Sequence, residues 1–432
     1  MRGLYVHIPF CVSKCSYCDF YSLPGRMDMI GAYIQAVLRE AESNKKNVTI
    51  HPSFVRRTHP EGIEGELHPQ NRAFDTLYIG GGTPSLMGAK HFNQLMDGLN
   101  DIFSFTCHSD RSKESSSHPP NKNHQPSLLF KERLRENCCS DSIGGVPLEA
   151  TIEVNPESAS AEFLQAVKNA GFTRISFGVQ SLSDDELRSV GRIHSALQAV
   201  QAIKLAKQLK FQAISADLII GLPGQTSDSL HQSLETLVEL GVRHLSVYCL
   251  SLEEGTILAN DPPSDLPTDD MQAKLFEETI IYLKACGFAH YEISNFALPG
   301  FECRHNLNYW RGGEYLGLGP AAASHLNGKR FKNRPNLDAY LGNSTGQTED
   351  IEELNAKDKA AEEAMLRLRL LEEGLDVKQL ADKFGMYNVQ GIITRLDNLV
   401  REGSLIVEGT KYRLTPSRIL TSNPIFARVL AD

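Results

Sequence analysis

GLYVHIPFCVSKCSYCDF, residues 3–20, is the stretch on which the reading of this chain turns. LYVHI (4–8) is an apolar run with β-branched and aromatic content, the composition of a strand. Directly after it, Cys11, Cys15 and Cys18 form C-x3-C-x2-C in a loop. Cysteine thiolates are the soft ligands that iron–sulfur clusters take. One loop can wrap a [4Fe-4S] cubane with three of them and leave the fourth iron without a protein ligand. That iron can be chelated by the amino and carboxylate groups of S-adenosylmethionine (SAM). Zinc also favours thiolates, but a structural zinc site would want a second close pair of ligands, which is missing nearby. Tyr17, just before the third cysteine, stands where it can pack against an adenine ring.

Outward from this stretch the chain alternates strands and helices. DTLYI (75–79), ATIEV (150–154), RISFGV (174–179), AISADLII (213–220), HLSVYCL (244–250) and HYEIS (290–294) read as further strands. Segments 28–43, 88–103, 159–170, 195–209, 226–240 and 268–286 carry a helical period. The alternation predicts an α/β fold with a parallel sheet, and nearly every strand ends in a polar or glycine-rich signature. In parallel βα barrels the C-terminal strand ends build the active face. Six such units predict a partial (β/α)6, TIM-like barrel over residues 1–330. Two polar stretches, 44–73 and 107–147, interrupt it as surface insertions. The second contains Cys107, His108, His118, His124, Cys138 and Cys139, whose spacing fits no zinc pattern. From 345 to 432 an amphipathic helix, two more helices and a hairpin turning at Glu408-Gly409 predict a small helical, winged-helix-like domain. Arg395 and Arg401 share its second helix with Asp397 and Glu402, so no basic stripe forms and packing or docking is the expected role.

Composition narrows the classes. Of 432 residues 53 are acidic and 44 basic, a formal net charge of −9 that repels phosphate backbones and argues against nucleic acid as partner. No apolar run is long enough to span a bilayer, and Arg2 leads straight into a strand rather than a signal peptide. Nine cysteines, three of them within eight residues, suit a reduced compartment with one metal site. The expected location is the cytoplasm, with peripheral membrane association through a partner left open.

C-x3-C-x2-C after an N-terminal strand, followed by Gly80-Gly81-Gly82-Thr83-Pro84 at the next strand end, resembles the radical SAM superfamily. The resemblance runs motif by motif over residues 2–325 and more weakly beyond. It implies that Gly81, Gly82 and Thr83 belong to a SAM site, where glycines let backbone groups approach the ligand. In oxygen-independent coproporphyrinogen oxidase and its relatives the remaining strand ends complete that pocket. Carried over, Tyr5 lies near the cluster, and Glu153 of IEVNP, Gln180 of GVQS, Arg192 of VGR and Asp217 of ADLI contact SAM. Arg192 can pair with the methionine carboxylate.

Two features choose the branch. Coproporphyrinogen oxidases carry a fourth cysteine two residues after the third. Here that position is Phe20, which resembles the HemW-type heme chaperones. The second is His305-Asn306-Leu307-Asn308-Tyr309-Trp310, an HNxxYW motif similar to a signature of the same proteins. Imidazole is a natural axial ligand of heme iron, so His305 is the candidate heme ligand and Cys303 a lesser one. The alternative is that His305 and Asn306 cap a loop while Tyr309 and Trp310 pack between barrel and C-terminal domain. The resemblance implies a protein that binds heme, a [4Fe-4S] cluster and SAM, and passes heme to an acceptor protein. An electron donor such as flavodoxin or ferredoxin is the further partner. Whether SAM is cleaved stays open, so no catalytic residue is assigned. If the chain is an enzyme, it is expected to act as a coproporphyrinogen III dehydrogenase, by oxidative decarboxylation.

Overall fold

The computed structural model describes residues 1–48, 51–55, 68–103 and 149–431. The 107–147 insertion, with its cysteines and histidines, lies outside the described residues. Of 44–73, the described ends form two strands, His51–Val55 and His68–Arg72, paired antiparallel.

Six parallel strands run side by side in chain order: β1 (Arg2–Ile8), β2 (Thr76–Gly81), β3 (Glu149–Val154), β4 (Arg174–Gln180), β5 (Ala213–Ile220) and β6 (His244–Cys249). Each is followed by a helix: α1 (Ile30–Asn44), α2 (Gly88–Phe103), α3 (Ala161–Asn169), α4 (Ala196–Gln208), α5 (Ser227–Glu239) and α6 (Asp269–Ala285). This is the partial (β/α)6 barrel. Helix starts follow local chemistry. Ser160, Ser195, Thr226 and Thr268 each accept a hydrogen bond from a backbone N–H of the first turn, and Ser195 and Thr226 form reciprocal capping boxes.

The register shows how one sequence serves two faces. Residues of one parity (Leu4, Val6, Ile8; Leu77, Ile79; Ile152, Val154; Ile175, Phe177) are buried in the core against the helices. Each such side chain contributes about 1.5–3 kcal/mol by leaving water. The other parity is polar. Tyr5 pairs with Tyr78, Tyr78 with Thr151, Glu153 with Ser176, and Asp217 with Ser246. A polar row therefore crosses the inner face of the barrel, and the apolar face carries the stability.

One expectation needs correction. HYEIS does not extend the parallel set: β7 (Ala289–Glu292) and β8 (Asn295–Ala297) form an antiparallel hairpin on β6, with His290 stacked on Phe296 at 4.0 Å. A seventh parallel strand comes instead from β9 (Glu314–Leu318), which pairs with the free edge of β1. It follows a short helix, α7 (Arg304–Trp310), and is hidden from periodicity by Gly317 and the glycines around it. From β9 the sheet continues antiparallel through β10 (Ala323–Leu326), β11 (Lys329–Asn333) and β12 (Thr348–Glu353). The sheet ends at Glu353, and the first helix of the C-terminal unit begins at Ala356.

A second core gathers residues from Ala360 to Val429. It is built by α8 (Ala356–Arg367), α9 (Val377–Phe384), α10 (Met386–Arg401), the hairpin β13 (Leu405–Glu408) and β14 (Lys411–Leu414), and α11 (Ser422–Leu430). The guanidinium of Arg395 donates to the Val429 carbonyl, and Tyr412 donates to Asp397 at 2.7 Å, so these polar groups of α10 are used within the unit. No described helix is long and apolar enough to cross a membrane.

Candidate functional site

The cysteine loop leaves the top of β1 and is pinned at several points. Phe10 is fully buried and meets Tyr33 edge-on at 5.3 Å. Gly82 N–H donates to the Ile8 carbonyl and Thr83 N–H to the Phe10 carbonyl, both at 2.7 Å. Further along, Ser16 N–H donates to the Val190 carbonyl at 3.1 Å, and Tyr17 packs against the small apolar cluster of Val190, Ile219 and Leu222. Cys11, Cys15 and Cys18 are left half-exposed.

The GGGTP motif packs closely against this loop, with Gly81 and Gly82 half-exposed. A Cβ on Gly80 would lie 2.8 Å from the Glu153 carboxyl, and one on Gly81, whose φ is +110°, 2.6 Å from the His7 ring. At Gly82 it would lie 2.5 Å from the Phe10 carbonyl oxygen, 2.9 Å from that of Ile8 and 3.1 Å from Cys11 Sγ. Backbone atoms of a pinned loop cannot yield. Gly82→Ala is therefore expected to cost about 1–3 kcal/mol through overpacking and to reduce the iron retained after reconstitution. Unchanged Tm together with full iron content would contradict this packing.

Polar donors converge on two of the sulfurs. Thr83 Oγ1 donates to Cys11 Sγ at 3.6 Å, and Asn155 Nδ2 donates to Thr83 Oγ1 at 2.9 Å. Arg192 donates through Nη1 to Cys15 Sγ at 3.5 Å, and through Nη2 to Asn155 Oδ1 at 3.1 Å and the Gly178 carbonyl at 2.8 Å. The guanidinium expected to meet a methionine carboxylate thus already serves a sulfur. Burial raises the Cys18 thiol pKa, and the charges of Cys15 and Cys11 add to the rise. Among the described residues no three His, Cys, Asp or Glu side chains form a single-ion metal site. Three soft donors on one loop, with hydroxyl and guanidinium groups aimed at their sulfurs, suit a cluster in which each thiolate takes a different iron.

Below the loop, Glu153 accepts from Tyr78 Oη at 2.7 Å and from Gly81 N–H at 3.0 Å. Burial and the nearby Asp217 charge raise its pKa to about 7. Asp217 accepts from Ser176 at 3.1 Å and is raised to about 6, chiefly by burial. Gln180 adopts a left-handed φ of +64° at a break in the β4–β5 register. That backbone conformation costs a non-glycine residue about 1–3 kcal/mol and gathers at functional sites. Its amide lies beside Asn155 and Arg192, since a Cβ on Gly178 would touch all three. Tyr5 Oη lies 3.0 Å from His7 Nδ1, whose other nitrogen faces the Tyr21 carbonyl. The barrel mouth therefore brings Tyr5, Glu153, Gln180, Arg192 and Asp217 under one cysteine loop. Asn155 was not singled out in the sequence, although EVNPE contains it; its role as the joint between Arg192 and Thr83 needed coordinates.

His305 is placed elsewhere. It sits at the floor of the barrel, only 1% exposed, beneath the N-terminal ends of β1 and β2. Nδ1 is 2.8 Å from Thr76 Oγ1 and Nε2 is 2.8 Å from Tyr309 Oη, and burial lowers its pKa to about 3. The first turn of α7 is held by Glu149, which accepts from Arg304 and His305 N–H groups at 3.2 and 3.0 Å. Cys303 is buried, its thiol pKa raised chiefly by burial, and it faces the same carboxylate at 3.5 Å. Both ring nitrogens of His305 and the Cys303 thiol thus have partners within the protein, and His305 fills the space beneath β1 and β2. Tyr309 and Trp310 from the same helix line a cleft of about 1110 Å³ between the open side of the barrel and α8–α9.

Comparison with known proteins places this geometry. The radical SAM superfamily model matches residues 5–237. The heme chaperone HemW of Escherichia coli strain K12 is 31% identical over 438 residues, covering 100% of this chain and 98% of that protein. HemW of Bacillus subtilis strain 168 is 29% identical over 439 residues, covering 100% of both. Among solved structures, coproporphyrinogen III oxidase (HemN) of Escherichia coli, described as a radical SAM enzyme, superposes with a TM-score of 0.73 at 20% identity. That match covers 99% of this chain and 89% of the other, and at this identity it speaks for the fold alone.

Proposed function

Because the chain belongs to the radical SAM superfamily, and within it groups with the HemW heme chaperones, we propose that it binds heme and passes it to an acceptor protein. The observation that carries this reading is the end-to-end similarity to HemW, which includes the C-terminal unit that walls the cleft. Phe20 supports it. The position that carries a fourth cysteine in coproporphyrinogen oxidases is here a phenyl ring, 62% exposed on the cleft wall. An exposed aromatic beside a large cavity suits an apolar macrocycle.

In this reading Cys11, Cys15 and Cys18 hold the [4Fe-4S] cluster, which supplies one electron and an open iron for SAM. Thr83 and Arg192 donate hydrogen bonds to two of the sulfurs. Glu153, Gln180 and Asp217, with Gly81 and Gly82, would contact SAM, Tyr17 would pack on its adenine, and Tyr5 would stand near the cluster. The heme acceptor is a protein, and the electron donor is a small redox protein such as flavodoxin or ferredoxin.

A titration consequence follows from Glu153. With its pKa near 7, it is about half protonated at neutral pH. SAM carries a fixed positive charge on its sulfonium, and that charge near Glu153 favours the ionised carboxylate, so the carboxyl releases a proton on binding. SAM affinity is expected to rise as pH increases through 7, with release of about half a proton per SAM at pH 7. Calorimetry in buffers of different ionisation enthalpy measures this, and a buffer-independent enthalpy would remove Glu153 from the contact.

The reading itself is tested anaerobically with cluster-loaded protein. Heme uptake is followed by absorbance, and coproporphyrinogen III turnover with SAM and reductant is measured in parallel. Heme uptake without turnover is the expected result. Turnover would establish the decarboxylase instead and overturn the chaperone reading.

A further inference from the structure

We infer that heme is seated in the cleft between the open side of the barrel and α8–α9, with Nε2 of His325 as axial ligand and Lys14, Lys332 and Lys359 facing the propionates. This rests on the heme-chaperone reading and names a site within it.

The tautomer of His325 is set by its surroundings. Its Nδ1 lies 3.2 Å from the Gly313 carbonyl, which can only accept, so Nδ1 carries the proton. Nε2 is then a bare lone pair. It makes no hydrogen bond with any described residue, and the side chain lines the cleft. A histidine that donates Nδ1–H to a backbone carbonyl and presents Nε2 is oriented as metal-ligating histidines usually are. Two nearby histidines cannot serve. Both nitrogens of His7 face Tyr5 and the Tyr21 carbonyl, and both of His305 face Thr76 and Tyr309.

Charge around the cleft points the same way. Its carboxylates are mostly engaged: Glu314 with Arg2, Glu362 with Arg330, and Glu363 with Arg367 and Lys383. Lys14, Lys332 and Lys359 line the cleft without an ion pair to any described residue. Two propionates could therefore be met by ammonium groups that have no competing partner. Phe20, Tyr309, Trp310 and Tyr315 provide aromatic walls for the macrocycle. The volume of about 1110 Å³ is at the top of the roughly 300–1,000 Å³ range of small-molecule sites and leaves room for a tetrapyrrole.

The test is a hemin titration of full-length, cluster-loaded protein, comparing wild type, His325→Ala, His325→Gln and Lys332→Glu/Lys359→Glu. Circular dichroism and cluster content confirm folding of each. His325→Ala is expected to lose the imidazole-ligated heme spectrum and to weaken binding at least tenfold, with added imidazole restoring the spectrum. His325→Gln should behave the same without disturbing the cavity. The double lysine variant should weaken binding several-fold while keeping the wild-type spectrum. If wild type takes up heme and both His325 variants match it in spectrum and affinity, the seat is overturned and the chaperone reading survives. If wild type takes up no heme, both fall.

Discussion

Replacing Cys11, Cys15 or Cys18 singly with alanine is expected to abolish the cluster. Iron and sulfide should fall from about four of each per chain after reconstitution to below one. A cubane held by three thiolates loses a corner ligand with each substitution, and Asp19, the acid beside Cys18, offers a hard oxygen that replaces a soft thiolate poorly. The fold should survive. All three side chains are half-exposed, and the loop is held by backbone bonds from Gly82, Thr83 and Ser16 and by Phe10 rather than by its sulfurs. Tm of Cys18→Ala should stay closest to that of cluster-free wild type, while Cys11→Ala and Cys15→Ala also lose the acceptors of Thr83 and Arg192 and should fall somewhat lower. Full iron content in any one variant would show that the triad is not the ligand set.

Arg192→Ala has the second large effect, and it separates support of the cluster from its ligation. The side chain donates to Cys15 Sγ, Asn155 Oδ1 and the Gly178 carbonyl. Its loss leaves three acceptors without their donor, each hydrogen bond to the charged group being worth roughly 1.5–3 kcal/mol. Removing a positive charge beside a sulfur ligand also disfavours the added electron, so the cluster potential should fall by tens of millivolts or more. Arg192→Lys restores the charge but not the fork that reaches Asn155 and Gly178 together. It should recover much of the potential and little of the stability. Anaerobic potentiometry with thermal unfolding resolves the two. An unchanged potential in Arg192→Ala would mean that the Cys15 contact does not act on the cluster.

The strand–helix alternation and the cysteine loop were legible because each is a local pattern. LYVHI, ATIEV and AISADLII are apolar on one parity whatever they pair with, and C-x3-C-x2-C needs only loop spacing to present three thiolates. Glu153, Gln180, Arg192 and Asp217 were legible only through the family resemblance, although Glu153 and Gln180 stand at or next to strand ends that face one mouth. HYEIS was misread because a short apolar run looks the same in a parallel strand and in an antiparallel hairpin. Strand β9 was missed because its glycines erase the period, and its place on the β1 edge is fixed by pairing across more than 300 residues.

The histidines mark the limit most clearly. HNxxYW drew attention to His305, and no rule of spacing says which way a side chain on a seven-residue helix will point. Packing decided it. Glu149 holds the helix by its first turn, and that turns His305 inward between Thr76 and Tyr309 while Tyr309 and Trp310 border the cleft. His325 stood in YLGLGPAAASH without a signal, because its distinction is one bond from Nδ1 to the Gly313 carbonyl. By itself the sequence determined the barrel, the cluster loop and the branch of the family, since those rest on periodicity and on residues adjacent in the chain. Only the tertiary structure decided which imidazole has a free nitrogen and which lysines lack a counter-charge. Availability depends on neighbours brought from distant segments, and those neighbours are chosen by how the elements pack.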